Sequence, residues 1–253
     1  MFNSKSVFMA KIQLYIVILM VYGCNSPGPD ANDVVNKSIQ FHGGTLYENS
    51  IIDFDFRNRH YTFERDHGLY KYHRIWKDSL GTYHDILTND GFKRLLNDHE
   101  IKVTEDWARR YSSSINSVAY FALLPFGLND PAVNKKYLGQ EVVNKQNYHK
   151  IQVTFDKEGG GEDPDDVFVY WIHQKTLSMD YFGYAYQSDG GGIRFRKAIH
   201  QREVGGIRFA DYLNFQGADD DKDVSGLAKL FEDGKLQKLS EINLENIQVE
   251  SIK

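Results

Sequence analysis

The sequence predicts an α+β fold in which a few helices pack on antiparallel sheet. Two observations carry that expectation. From Ile52 onward, apolar residues recur at every second position through most of the chain, the period of a half-buried strand. Only the stretches after Asp30 and after Tyr111 depart from it toward helical spacing or an apolar run. Strand and helix do not alternate regularly, which excludes a (β/α)₈ barrel. Composition agrees: of 253 residues 41% are hydrophobic, with 16 Tyr and 16 Phe, enough surface to bury and too much for a disordered chain. A single cysteine rules out a disulfide scaffold, and a net charge of −5 argues against a nucleic-acid partner.

The first element is a leader. Lys5 and Lys11 are the only charges before Asp30, and Ile12 to Tyr22 forms an apolar stretch too short to cross a hydrocarbon core of roughly 30 Å. Val21-Tyr22-Gly23-Cys24 then resembles the bacterial lipobox, in which the thiol is acylated and the peptide is cut before it; Tyr22 departs from the usual small or aliphatic residue. An exported thiol with no second cysteine to pair with fits acylation. The competing readings are an ordinary cleaved signal peptide with an incidental cysteine, or an uncleaved anchor. The expected organisation is a signal peptide over 1–23, a tether over 24–29 and one domain over 30–253, with Cys24 the membrane anchor. Loss of the leader removes two lysines and leaves the mature chain near −7.

Within the domain, Asp30 is placed to cap a helix whose apolar positions are Ala31, Val34, Val35, Ile39 and Phe41, and His42-Gly43-Gly44 ends it. Alternating segments follow: Ile52 to Phe56, Tyr61 to Phe63, Tyr70 to Tyr72, Gly81 to Leu87 and Phe92 to Leu96, an antiparallel meander with Asn89-Asp90-Gly91 as a turn. Tyr111 to Leu124 reads as a buried helix capped by Ser112, Ser113 or Ser114 and stopped by Pro125, with a short helix possible from Pro131. Strands resume at Lys150–Phe155, Val167–His173, Met179–Tyr186, Ile193–Ile199 and Ile207–Phe215, and Leu239 to Ile252 closes the chain as one strand. Val167 to Ile172 is apolar on both faces, so both should be covered: helices on one, a second sheet wall or a ligand cavity on the other. Gly191-Gly192-Ile193-Arg194-Phe195 recurs as Gly205-Gly206-Ile207-Arg208-Phe209, as neighbouring strands of one hairpin would.

Chemical motifs are sparse. The sequence has no G-x-S-x-G, H-E-x-x-H, Walker loop or G-x-G-x-x-G after a strand. The densest polar segment runs from Asp156 to Asp166 around three glycines; its Glu162, Asp163, Asp165 and Asp166 offer the hard oxygens that suit Ca²⁺, the only cofactor left open, against a solvated hairpin loop. Phe168, Tyr170, Tyr184, Tyr186, Phe195 and Phe209 are candidate pocket aromatics, or core. Arg194, Arg196 and Arg208 are candidate polar orienters, or exposed strand arginines.

The strings from Ser117 to Val133, Val153-Thr154-Phe155 and Gly190 to Arg196 resemble a family of outer-membrane lipoproteins from Bacteroidota that has no established activity. More loosely, the layout is similar to the lipoprotein carriers LolA and LolB. That likeness implies a single bent antiparallel sheet, a half-barrel, with helices covering a concave face that takes acyl chains. The expected role is therefore non-enzymatic binding of a lipid or other hydrophobic ligand by a monomer anchored at the periplasm-facing leaflet of the outer membrane. A carboxylate- or Ca²⁺-dependent envelope hydrolase and a purely structural lipoprotein are the alternatives.

Overall fold

The structure is a computed structural model that describes residues 28–159, 164–187, 190–217 and 223–252. Cys24, Glu162 and Asp163 lie outside the described residues. The chain opens with α1 (Ala31–His42), whose N-terminus is capped by Asp30: its carboxylate accepts the backbone N–H of Asn32. Val34, Val35 and Ile39 bury its inner face, as their spacing predicts. A 3₁₀ turn (Gly44–Glu48) leads into β1 (Asn49–Phe56), β2 (Arg59–Asp66), β3 (Leu69–Asp78), β4 (Gly81–Thr88), β5 (Gly91–Leu96) and β6 (His99–Ile101). This is the expected meander. Tight turns such as Asn97-Asp98, with φ of 51° and 65°, join its strands in the left-handed region that short hairpins require.

The second helix differs from expectation. α2 (Glu105–Ala122) begins six residues before Tyr111, and its cap is Thr104, whose hydroxyl accepts the Trp107 N–H, with Glu105 and Asp106 in the first turn. The serines lie inside the helix, where Ser112 and Ser117 donate back to the carbonyls of Ala108 and Ser113. Only its second half is buried, through Ile115, Val118, Ala119 and Ala122.

No helix starts at Pro131. A 3₁₀ turn (Phe126–Asn129) leads to β7 (Val133–Val143), followed by β8 (Gln146–Phe155), β9 (Val167–His173), β10 (Met179–Tyr186), β11 (Gly192–Val204) and β12 (Ile207–Gln216). A 3₁₀ turn (Val224–Gly226) and α3 (Leu227–Glu232) precede β13 (Gln237–Ile242) and β14 (Glu245–Ser251). No helix among the described residues is long and apolar enough to cross a membrane.

The strands form two seven-stranded antiparallel sheets, not one: β14-β1-β2-β3-β4-β5-β6 and β13-β12-β11-β10-β9-β8-β7. The physical break is α2, which interrupts the meander between β6 and β7, so that no ladder joins them. The terminal segment is correspondingly two strands. β13 completes the second sheet on β12, and β14 crosses to pair with β1 in the first. Buried Asp211 pins that crossing by accepting the Leu244 N–H at 2.9 Å and the Arg202 guanidinium at 3.1 Å.

The main core lies between the sheets and takes in α1 and the buried half of α2. The two-faced strand is covered on both sides, as expected. Tyr170 and Ile172 of β9 point into the main core, whereas Val169 and Trp171 point outward under α3, in a second core with Tyr181, Phe195 and Leu227. The inner face of the first sheet carries buried charge. Asp85 on β4 is fully buried between Arg74 of β3 and Arg94 of β5. On its outer face, His73 Nδ1 and His84 Nε2, from the paired strands β3 and β4, meet at 2.6 Å, and burial with the neighbouring His84 pulls the His73 imidazole down to about 4.

Candidate functional site

An open cavity of about 1200 Å³ lies between the two sheets, beside α2. Strand parity builds its aromatic wall. On β9 and β10, Phe168 is opposite Tyr184 and Tyr170 is opposite Phe182, so one face of the second sheet presents a continuous aromatic surface. The Phe168 and Tyr184 rings stack at 5.0 Å, and Tyr120 of α2 and Phe155 of β8 meet Phe168 edge-on at 5.8 and 5.7 Å. Tyr186 extends the wall toward the end of β10, and Phe56, Tyr70 and Tyr72 line the cavity from the first sheet.

The next strand changes the chemistry. Arg194 is opposite Tyr184 and Arg196 opposite Phe182, so the wall turns from aromatic on β10 to cationic on β11. The Arg196 guanidinium donates to the Tyr184 hydroxyl at 3.0 Å and lies 5.3 Å from the Phe182 ring centre. Arg65 on β2 lines the cavity from the first sheet, hydrogen-bonded to the Tyr72 hydroxyl and 4.8 Å from the ring of Phe126. Arg57 and Arg109 complete the cationic lining. Ser112, Ser113, Ser114 and Ser117 bring hydroxyls from α2, and the carboxylates in the lining are Asp130 and Asp166. Burial raises the Asp130 carboxyl above its usual range, against the opposing pull of Arg65 and Lys135.

The lining thus brings together Phe168, Tyr184, Tyr186, Arg194 and Arg196 of the expected ligand residues. Tyr170 sits behind the wall, fully buried, with its hydroxyl 2.8 Å from that of Tyr120; burial pushes its ionisation well upward. Phe195 is on the opposite face of the sheet, beneath α3, because neighbouring residues of a strand point to opposite sides and Arg194 takes the inward position. Phe209 is packed in the main core. Arg208 begins β12 at the far end of the hairpin from Arg194, where it pairs with Glu203 at 2.7 Å and donates to the Phe41 carbonyl. The two G-G-I-R-F blocks therefore do start adjacent antiparallel strands, but at opposite ends.

Of the acidic loop, Asp166 lines the cavity, whereas Asp165 lines a separate cleft of about 340 Å³ on the outer face of the second sheet. Among the described residues no three His, Cys, Asp or Glu side chains group as a metal site. Sequence reading missed Arg65 and Phe182. Phe182 was accessible, since it shares the parity of Tyr184.

Comparison with known proteins gives a family and a fold. A model described as a family of unknown function (DUF6503) matches residues 10–244. A comparison with curated proteins found no match. Among solved structures, a DUF1329 family protein from Desulfovibrio piger is 13% identical with a TM-score of 0.50, over 86% of this chain and 91% of that one. A LolA superfamily protein from Nitrosomonas europaea is 8% identical with a TM-score of 0.47, over 89% and 94%. A putative outer membrane lipoprotein-sorting protein domain from Vibrio parahaemolyticus is 9% identical with a TM-score of 0.46, over 87% and 94%. At 13% identity the likeness to the first of these is one of fold.

Proposed function

Because the chain belongs to DUF6503, a family of unknown function, we propose its role from its own cavity: it binds a lipid or other hydrophobic ligand without chemical conversion. The observation that carries this reading is the aromatic wall of Phe168, Phe182 and Tyr184 along a cavity of about 1200 Å³. Ligand sites of drug size occupy roughly 300–1,000 Å³, so this space accommodates an acyl chain with its head group. The wall stands on paired strands backed by α3 on the far side, so it is held in place before any ligand arrives. Uptake of the neutral probe N-phenyl-1-naphthylamine tests it. The expected result is saturable fluorescence enhancement in the micromolar range; no enhancement at a hundredfold higher probe concentration overturns the reading.

The cavity works beside a membrane in this proposal. The basic and apolar leader and the lipobox-like Val21-Tyr22-Gly23-Cys24 support acylation of Cys24, with the tether over 24–29 leaving the domain in the periplasm at the outer membrane. Cells fed radiolabelled palmitate should label the wild-type protein and not Cys24→Ser. Equal labelling of both would remove Cys24 as the anchor.

A further inference from the structure

The cavity is cationic although the chain is acidic, and from that contrast an inference follows that rests on the ligand-binding reading. The whole sequence carries −5, yet the charged side chains lining the cavity are five arginines and two aspartates. Arg65, Arg194 and Arg196, all partly buried, are in no ion pair with a described carboxylate, whereas most other partly buried cations among the described residues have one, such as Arg74, Arg94 and Lys150. Aromatic rings accompany them instead: Arg194 lies 5.2 Å from the Tyr186 ring centre, and Arg196 lies 5.6 Å from that of Phe121. Ring faces attract the cation but accept few of its N–H bonds. The Nε atoms of Arg65 and Arg196 are buried with no hydrogen-bond partner. A half-desolvated guanidinium without a counter-charge is costly, and paired oxygens of a carboxylate or phosphate are the group that its planar fork fits.

The register fixes where such a group would sit. Arg194 and Arg196 are one strand away, about 4.8 Å, from Tyr184 and Phe182. A chain lying along the aromatic wall therefore brings its end to both guanidinium groups without leaving the cavity.

We propose that the ligand is an anionic amphiphile, its apolar chain on the aromatics of β9 and β10 and its carboxylate or phosphate against Arg194 and Arg196. The test displaces N-phenyl-1-naphthylamine with oleate, oleyl phosphate and oleyl alcohol, which share one chain and differ in the head. At least one of the two anions is expected to displace the probe at a tenfold lower concentration than the alcohol, and the better of the two identifies the head group. In Arg194→Met/Arg196→Met that advantage should vanish while oleyl alcohol still displaces, which reports an intact cavity; Arg196→Lys should keep most of it. Equal displacement by all three ligands, or an anion preference that survives the double substitution, overturns this inference and leaves the hydrophobic-ligand reading standing. Failure of the probe to bind at all removes both.

Discussion

Asp85→Ala is expected to lower the free energy of unfolding by about 3–5 kcal/mol, the range for removing one partner from a buried ion pair. The reason is geometric. Asp85 accepts from Arg74 Nε at 3.0 Å and Nη2 at 2.6 Å, and from Arg94 Nε at 2.6 Å and Nη2 at 2.9 Å. One carboxylate is thus the counter-charge shared by two guanidinium groups that are only 3% and 8% exposed. Arg74 also donates to Ser114 at 2.9 Å, and Arg94 lies 3.6 Å from the ring centre of Tyr111, so the cluster ties β3, β4 and β5 to α2. Without the carboxylate, two buried cations face each other across a strand, and the helix beside the cavity loses its footing on the first sheet. Urea denaturation followed by circular dichroism measures the change. A loss below about 1 kcal/mol, the scale of an exposed ion pair, would contradict a buried cluster.

Phe168→Glu is expected to weaken uptake of a hydrophobic probe at least tenfold, about 1.4 kcal/mol. Phe168 is at the centre of the wall, stacked on Tyr184 and edge-on to Tyr120 and Phe155. A carboxylate there replaces the apolar surface that the chain would cover and must itself be desolvated when a ligand enters. The exposed Val142, on β7, is the control: Val142→Glu should leave uptake unchanged. Phe195, one residue from Arg194, is not a substitute for Phe168. It faces α3, where a charge would damage the second core rather than the cavity. Retained affinity in a folded Phe168→Glu variant would move the binding surface away from β9 and β10.

Much of this arrangement is legible in the residues, for identifiable reasons. α1 announces itself because Asp30, the apolar spacing and His42-Gly43 all agree. The strands of the first sheet alternate because one face meets the core and the other meets solvent. β7 is different. It is an edge strand, with Lys135, Lys136, Gln140 and Glu141 among its residues and an irregularity around Leu138, so no apolar alternation marks it. The start of α2 is hidden because Trp107, Arg109 and Arg110 are exposed and leave only the Thr104 cap as a signal. The division into two sheets depends on which strands pair across long stretches of chain, and local patterning does not encode that.

The candidate site follows the same logic. Aromatics at Phe168, Tyr184 and Tyr186 were visible as a strand pattern, whereas Phe195 fails on parity alone. Arg65 comes from the other sheet, from a strand that alternates like its neighbours, and nothing in its local sequence ties it to β11.

The most direct test of a ligand-holding cavity is native mass spectrometry of the chain from residue 25 onward, purified without detergent, with organic extraction of the same sample. The account predicts a bound species of amphiphile mass that disappears on extraction, or, if the protein emerges empty, one-to-one uptake of added oleate or oleyl phosphate. A protein that remains at its bare mass with every added amphiphile would contradict it.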